Sequence, residues 1–130
     1  MNPVPTLLVI DDEKDICECF EDLFTLGDPK LKVRVLNADN GPDGLKLLEE
    51  HNPDVIFVDL QLQAEMGGAE VVKRIKESGS LAKVVVVSGF IDKNDENLKW
   101  IGADAYLEKP ATGDQVVQLV KKLLRQKGGW

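Results

Sequence analysis

The sequence has few of the residues that build disulfide frameworks or metal sites with thiolate and imidazole ligands. Its 130 residues include two cysteines and one histidine. Cys17 and Cys19 are two positions apart and form neither a CxxC pair nor a disulfide framework, and His51 is distant from both. A zinc site with Cys and His ligands is therefore excluded. Reduced thiols of this kind are typical of the cytoplasm, where we expect the protein to reside.

Long apolar runs and an excess of basic residues are also missing. No apolar run is long enough to cross a bilayer, and the first residues lack the basic and apolar segments of a signal peptide. The net charge is −7, from 16 basic and 23 acidic residues, which argues against non-specific binding to nucleic acid or to an anionic membrane. We therefore expect neither as a direct partner.

What the sequence does contain is a regular alternation of short apolar runs with amphipathic segments. Runs rich in Val, Ile and Leu indicate buried parallel strands, over about 6–11, 31–37, 54–60, 82–88 and 104–110. Segments with a period near 3.6 indicate helices, over about 13–26, 41–51, 67–78, 93–102 and 112–127. This order predicts the α/β class, with a doubly wound five-stranded parallel sheet and five helices.

Two details of the predicted helices can be checked against a structure. In the first helix the apolar residues at 16, 19, 20, 23 and 26 form one stripe, so we expect Cys17 and Cys19 to pack within this helix. In the last helix either Thr112 or Asp114 is a suitable N-terminal cap.

Polar side chains follow four of the predicted strands where each strand ends. Asp11 and Asp12 end the first strand and Asp59 ends the third, while Ser88 ends the fourth and Lys109 follows the fifth. Because the carboxyl ends of parallel strands line one crevice, we expect these side chains to converge. Each residue alone has a plainer explanation, as a cap, a turn residue or a surface lysine. Together they predict an acidic site.

The chemistry of such a site follows from its charges. Three carboxylates in one crevice repel one another and need counter-charge. Lys109 supplies one positive charge, and a hard divalent cation such as Mg²⁺ would supply the rest. A carboxylate beside such a cation can accept a phosphoryl group and form an acyl phosphate. The hydroxyl of Ser88 would then donate a hydrogen bond to the transferring group.

At these residues the chain resembles the receiver domain of response regulators in two-component signalling. The resemblance covers about 6–126 and rests on four stretches, "LLVIDDE", "DVIFVDLQL", "KVVVVSG" and "GADAYLEKP". It implies the flavodoxin-like strand order 2-1-3-4-5. It also implies a single receiver domain over 1–130 with 127–130 as a tail, either a stand-alone regulator or a receiver excised from a larger protein, and a monomer or a phosphorylation-linked dimer.

The resemblance also implies a role for each residue of the site. Asp59 would be the phosphoacceptor, loaded by a histidine kinase or a phosphotransfer protein, and Lys109 would contact the phosphoryl group. The protein would catalyse its own phosphorylation and its slow dephosphorylation. The bond between Lys109 and Pro110 is expected to be cis. The implied Mg²⁺ ligands are Asp11, Asp12, Asp59 and the backbone carbonyl of Gln61.

Two aromatic residues match or adjoin the surface through which receivers signal. Ser88 and Tyr106 match the pair of side chains that move together on phosphorylation, so they form the expected switch. Tyr106 and Trp100 are the candidates for a partner surface. Their plainer explanations are a half-buried strand aromatic for Tyr106 and a ring folded over the helix–sheet junction for Trp100.

Other functions are compatible with parts of the pattern. The loop after Asp59 carries Gln63 where the family usually has proline, and Gly68 comes one residue later than usual, which leaves open a receiver-like interaction module that is not phosphorylated. A phosphatase with an aspartyl nucleophile is disfavoured because such enzymes often carry Asp-x-Asp after the first strand. Here that stretch is "DDEKD", and the candidate nucleophile lies on the third strand. A nucleotide-binding protein is disfavoured because no glycine-rich loop follows the first strand.

Gln61 and Phe90 occupy the two positions that influence hydrolysis of the acyl phosphate in the family. We predict that the ring of Phe90 shields the phosphoryl group from water. Replacing it with a small polar residue, as in Phe90→Ser, should shorten the lifetime of the phosphorylated protein, measured as loss of the phosphoryl group after the donor is removed. An unchanged lifetime would discard this role for Phe90.

Overall fold

The structure, a computed structural model, describes residues 4–26, 32–62, 66–89 and 101–127. Its strands are β1 (Thr6–Ile10), β2 (Arg34–Ala38), β3 (Val55–Asp59), β4 (Lys83–Ser88) and β5 (Ala105–Glu108). Four helices lie in the described ranges: α1 (Lys14–Leu26), α2 (Gly41–His51), α3 (Gly68–Glu77) and α4 (Gly113–Lys127). None of them has the length and apolar content that a membrane-spanning helix needs. The helix predicted over 93–102 falls almost wholly outside the described residues.

The five strands form one parallel sheet in the order β2-β1-β3-β4-β5, which confirms the predicted fold and strand order. All five residues of β3 are buried, as are the last four of β1 and the last five of β4. Central strands are buried on both faces because helices cover both faces of the sheet. This burial on both faces explains the continuous apolar runs in the sequence.

Alternate strand residues supply two separate hydrophobic cores. The core on the side of α2 and α3 includes Leu8, Ile10, Leu48, Ile56, Val58, Val71, Val72, Ile75, Val84 and Val86. The core on the side of α1 and α4 includes Leu7, Val9, Phe20, Phe24, Phe57, Val85, Val87, Val116, Val120 and Leu123. In the second core the rings of Phe20 and Phe57 meet edge to face, with centroids 4.8 Å apart. The sheet is therefore held rigidly from both faces.

Side-chain hydrogen bonds cap the starts of two helices, α2 and α4. The side chain of Asn40 accepts a hydrogen bond of 2.8 Å from the backbone N–H of Asp43 and caps α2. At α4 the hydroxyl of Thr112 accepts from the N–H of Gln115 at 3.1 Å, and the Gln115 side chain accepts from the N–H of Thr112 at 2.9 Å. This reciprocal capping box identifies Thr112, not Asp114, as the cap.

The prediction that both cysteines pack within α1 is wrong for one of them. Cys17 is half-buried against the second core, whereas Cys19 is exposed. The buried positions of α1 are Phe20 and Phe24, which lie one turn apart. Cys19 is rotated by about 100° from Phe20 around the helix axis, which carries it off the inner face.

The start of α3 packs directly on the end of β3. A Cβ atom at Gly68 would collide with the backbone carbonyl oxygen of Asp59 and would lie 2.6 Å from the Cα of Leu60. The neighbouring Gly67 has open space around its Cα and a φ of −75°, which any residue can adopt. Gly68 is therefore needed for this close approach of two backbone segments, whereas Gly67 is not.

The substitution Gly68→Ala should lower the free energy of unfolding by about 2–3 kcal/mol, because the added methyl group meets backbone that cannot rotate away. The matched control Gly67→Ala should cost less than about 1 kcal/mol. Urea denaturation of both variants measures the difference. Equal losses for the two variants would contradict the close packing of α3 on β3.

Candidate functional site

The register of the central strands places two aspartates side by side. Ile10 of β1 is level with Val58 of β3. The next residue on each strand is Asp11 and Asp59 respectively, so both carboxylates leave the sheet at the same height. Both residues are almost inaccessible to solvent, with Asp11 exposed by 3% and Asp59 by 4%.

The other two strands that contribute to the site extend slightly further along the same edge. Asp59 is level with Val87 of β4, so Ser88 lies one residue beyond it. Ser88 is in turn level with Glu108 of β5, and Lys109 follows. The backbone N–H of Lys109 donates to the carbonyl of Ser88 at 2.7 Å, which extends the pairing of β4 and β5 as far as the lysine.

Lys109 joins the two buried aspartates. Its Nζ lies 3.2 Å from Oδ2 of Asp11 and 3.4 Å from Oδ2 of Asp59. The lysine side chain is 20% exposed, so its long stem is largely covered while the ammonium group faces the acids. A buried carboxylate is costly unless it is paired, and this ammonium group pairs two of them.

A second hydrogen bond orients each aspartate. Oδ1 of Asp11 accepts from the backbone N–H of Glu13 at 2.9 Å, and Oδ1 of Asp59 accepts from the backbone N–H of Gln61 at 2.9 Å. Both are turns in which an Asp side chain binds the N–H two residues on. In each aspartate one oxygen is thus held by the backbone and the other faces Lys109.

The cluster contains one acidic residue that sequence reasoning missed. One carboxylate oxygen from each of Asp11, Asp12, Glu13 and Asp59 lies within 4.8 Å of those of the other three. Glu13 also approaches Lys109, with 3.5 Å between Oε1 and Nζ. Its side chain is 61% exposed, so it borders the site on the solvent side. The available signal was its position in "DDE", directly after the acidic pair.

Burial and the neighbouring charges shift the pKa values of two members of the cluster. Burial is the main cause that raises the pKa of Asp11, and the nearby Asp59 raises it too, while the N–H of Glu13 and the charge of Lys109 act in the opposite direction. Burial alone would lower the pKa of Lys109, but the surrounding acids outweigh it and raise the pKa above its usual value. Lys109 is therefore a permanent cation at neutral pH.

Other predicted site residues lie near this centre or outside the described ranges. Ser88 is buried at the end of β4, and Tyr106 is 37% exposed on the edge strand β5. The bond from Lys109 to the following proline is cis, as the family resemblance implied. Phe90 and Trp100, together with Gln63 of the loop after β3, lie outside the described residues. Their roles stay predictions.

Cys17 approaches the site from α1 but is not a nucleophile. Its Sγ lies 3.6 Å from the backbone carbonyl oxygen of Asp11, to which the thiol donates. Burial and the neighbouring acids raise the pKa of Cys17 to about 11. The thiol is therefore protonated at neutral pH, and a protonated thiol is a poor nucleophile and a poor metal ligand.

Known proteins share both the sequence pattern and the fold. The sequence model of the response regulator receiver domain matches residues 7–121. The polar-differentiation response regulator DivK of Brucella anthropi is 30% identical over 122 residues, which cover 92% of this chain and 95% of that protein. The DivK of Brucella ovis is 29% identical over the same shares of the two chains.

Solved structures extend the likeness to the fold. The signal receiver domain of a LuxO repressor protein from Vibrio parahaemolyticus is 21% identical and superimposes with a TM-score of 0.85, over 96% of this chain and 93% of that one. A response regulator from Thermotoga maritima is 27% identical with a TM-score of 0.80, over 95% and 99% of the two chains. The chain therefore belongs to the response regulator receiver domain family of two-component signalling.

Proposed function

We propose that this receiver domain is a phosphorylation-controlled switch whose phosphoacceptor is Asp59. The position of this carboxylate is the observation that carries the proposal. It is buried, one oxygen accepts from the N–H of Gln61 at 2.9 Å, and the other lies 3.4 Å from Nζ of Lys109. A nucleophile of fixed orientation beside a cation suits phosphoryl transfer, which depends on positioning and charge neutralisation.

In the proposed reaction an oxygen of Asp59 attacks the phosphorus of a phosphohistidine, carried by a histidine kinase or a phosphotransfer protein. A P–O bond forms while the P–N bond breaks, and its electron pair leaves with the imidazole, which takes up a proton from water. The ammonium group of Lys109 neutralises charge on the phosphoryl oxygens, and the hydroxyl of Ser88 donates to one of them. Attack of water on the acyl phosphate later restores Asp59 and releases inorganic phosphate.

The acidic cluster fits a small, hard divalent cation. One carboxylate oxygen from each of its four acids lies within 4.8 Å of the others, a spacing that would suit the ligands of a single small cation. All the donors are hard oxygen atoms, which Mg²⁺ prefers to nitrogen or sulfur. We infer that Asp11, Asp12 and Asp59, with the backbone carbonyl of Gln61, hold the ion. Bound Mg²⁺ would supply positive charge to the transferring phosphoryl group.

The output of the switch is proposed to pass from Ser88 to Tyr106. Tyr106 is level with Val86, two residues before Ser88 on the neighbouring strand. A hydrogen bond from Ser88 to a new phosphoryl group would draw the end of β4 towards the site and make room for the aromatic ring, which is partly exposed in this structure. The changed surface around Tyr106, with Trp100 as a further candidate, would select the downstream partner.

We propose one receiver domain with a core over about 6–126, a histidine kinase or phosphotransfer protein as donor, and the cytoplasm as its location. A receiver-like interaction module that is never phosphorylated is the alternative, and it makes the opposite prediction in the experiment below.

Incubation with acetyl phosphate and Mg²⁺ should add one phosphoryl group to the wild-type protein, because the small donor presents phosphorus to the same nucleophile. Intact-mass spectrometry measures the gain. Asp59→Asn should show no gain, and omission of Mg²⁺ should abolish it in the wild type. The control Asp22→Asn, which changes an exposed residue of α1, should behave as wild type. An equal mass gain in Asp59→Asn, or none in any protein, would contradict the proposal.

A further inference from the structure

Glu13 is the one acid of the cluster to which the proposed chemistry gives no role. Its carboxylate lies 3.5 Å from Nζ of Lys109, close to the separations of 3.2 Å and 3.4 Å for Asp11 and Asp59. Its side chain is 61% exposed, whereas the two aspartates are buried. The carboxylate of Glu13 therefore borders the buried pair of aspartates on the solvent side.

The backbone of Glu13 is held in place while its side chain is less restrained. The N–H of Glu13 donates to Oδ1 of Asp11 at 2.9 Å, and the carbonyl of Glu13 accepts from the N–H groups of Ile16 and Cys17 at the start of α1. The side chain thus starts from a defined point beside the site. It reaches Lys109 over a long, partly exposed stem.

Glu13 competes with a phosphoryl group in two ways. It draws on the same ammonium group that must neutralise the phosphoryl oxygens, and its own negative charge faces an incoming anion. Both effects oppose an anionic donor that arrives without a counter-charge, and both leave the position of Asp59 unchanged. A protein donor can offset them with a basic group of its own where it docks.

We propose that Glu13 is a specificity-determining residue that disfavours small anionic phosphodonors at Asp59 by holding Lys109 and repelling the donor. The proposal rests on the phosphorylation of Asp59 proposed above. We consider a unit charge about 6 Å from the phosphoryl group, at an effective dielectric constant between that of water and half of it. Such a charge changes the rate constant for the encounter with the donor by about three- to tenfold. That range is the size of effect expected here.

The test compares Glu13→Gln with Glu18→Gln, which removes the same charge from an exposed position on α1 outside the cluster. At saturating Mg²⁺, Glu13→Gln should raise the second-order rate constant for phosphorylation by acetyl phosphate about three- to tenfold above wild type. Glu18→Gln should stay within about twofold of wild type. Because the effect is electrostatic, it should disappear at an ionic strength of about 1 M, where the Debye length is about 3 Å. The three proteins should then have the same rate constant.

Calorimetric titration of Mg²⁺ into each unphosphorylated protein separates this role from metal ligation. Glu13→Gln should weaken Mg²⁺ binding by no more than about tenfold, the effect in water of one unit charge about 6 Å from a divalent ion that it does not ligate. A rate for Glu13→Gln equal to or below that of Glu18→Gln, a gain that persists in high salt, or a loss of Mg²⁺ affinity beyond about tenfold would overturn the proposal. Failure of the wild type to be phosphorylated would instead count against the phosphorylation of Asp59.

Discussion

One ammonium group, that of Lys109, lies within 3.5 Å of three of the four carboxylates that cluster at the carboxyl edge of the sheet. Two of them, Asp11 and Asp59, are buried, and an unpaired buried charge is strongly destabilising. The lysine offsets only part of the negative charge, and the pKa of Asp11 stays raised by burial and by Asp59. The site thus keeps an excess of negative charge. The hydrophobic cores on both faces of the sheet must offset its cost in stability. Under the proposed function, such a site would bind a divalent cation, and its hydrogen bonds would change on transfer of a phosphoryl group to Asp59.

The fold delivers this arrangement through simple geometry. Parallel strands in register bring Asp11 and Asp59 to the same height, and a turn after each strand holds one carboxylate oxygen on a backbone N–H. The same geometry links the site to the proposed output surface. Lys109 donates its backbone N–H to the carbonyl of Ser88, so the cation and the predicted switch residue belong to one pair of strands. A change at Asp59, the proposed phosphoacceptor, would therefore reach the edge strand β5 through two residues, without a long chain of contacts.

Much of the fold and of the site could be predicted from the sequence. The parts that could not be predicted were missed for physical reasons. Buried parallel strands produce continuous apolar runs, and polar residues at their carboxyl ends must meet, so the sheet and the convergence of Asp11, Asp59 and Lys109 followed from pattern alone. Glu13 was missed because an exposed glutamate ahead of a helix looks like an ordinary first-turn acid until the position of the Lys109 ammonium group is known. The cap of α4 was ambiguous because Thr112 and Asp114 both suit a helix start, and only the reciprocal bond to Gln115 decides between them. The exposure of Cys19 depends on its angular position around the helix axis. The spacing of apolar residues in the sequence defines this angle poorly, and one residue corresponds to about 100°.

The charge imbalance is tested most directly by the free energy of unfolding of wild type and Asp11→Asn, measured in urea with and without Mg²⁺ at pH 7. The raised pKa of Asp11 means that its ionised form costs stability at neutral pH, and that this cost disappears as the pH falls through the folded-state pKa. The asparagine keeps the oxygen that accepts from Glu13 and removes the charge, so without Mg²⁺ the variant should be the more stable protein. With Mg²⁺ at ten times its dissociation constant the wild type should gain about 1.4 kcal/mol, and the variant should gain clearly less. A wild type that is the more stable protein without Mg²⁺, together with equal gains for both on adding the ion, would contradict the crowding of carboxylates around Lys109 as the basis of the site.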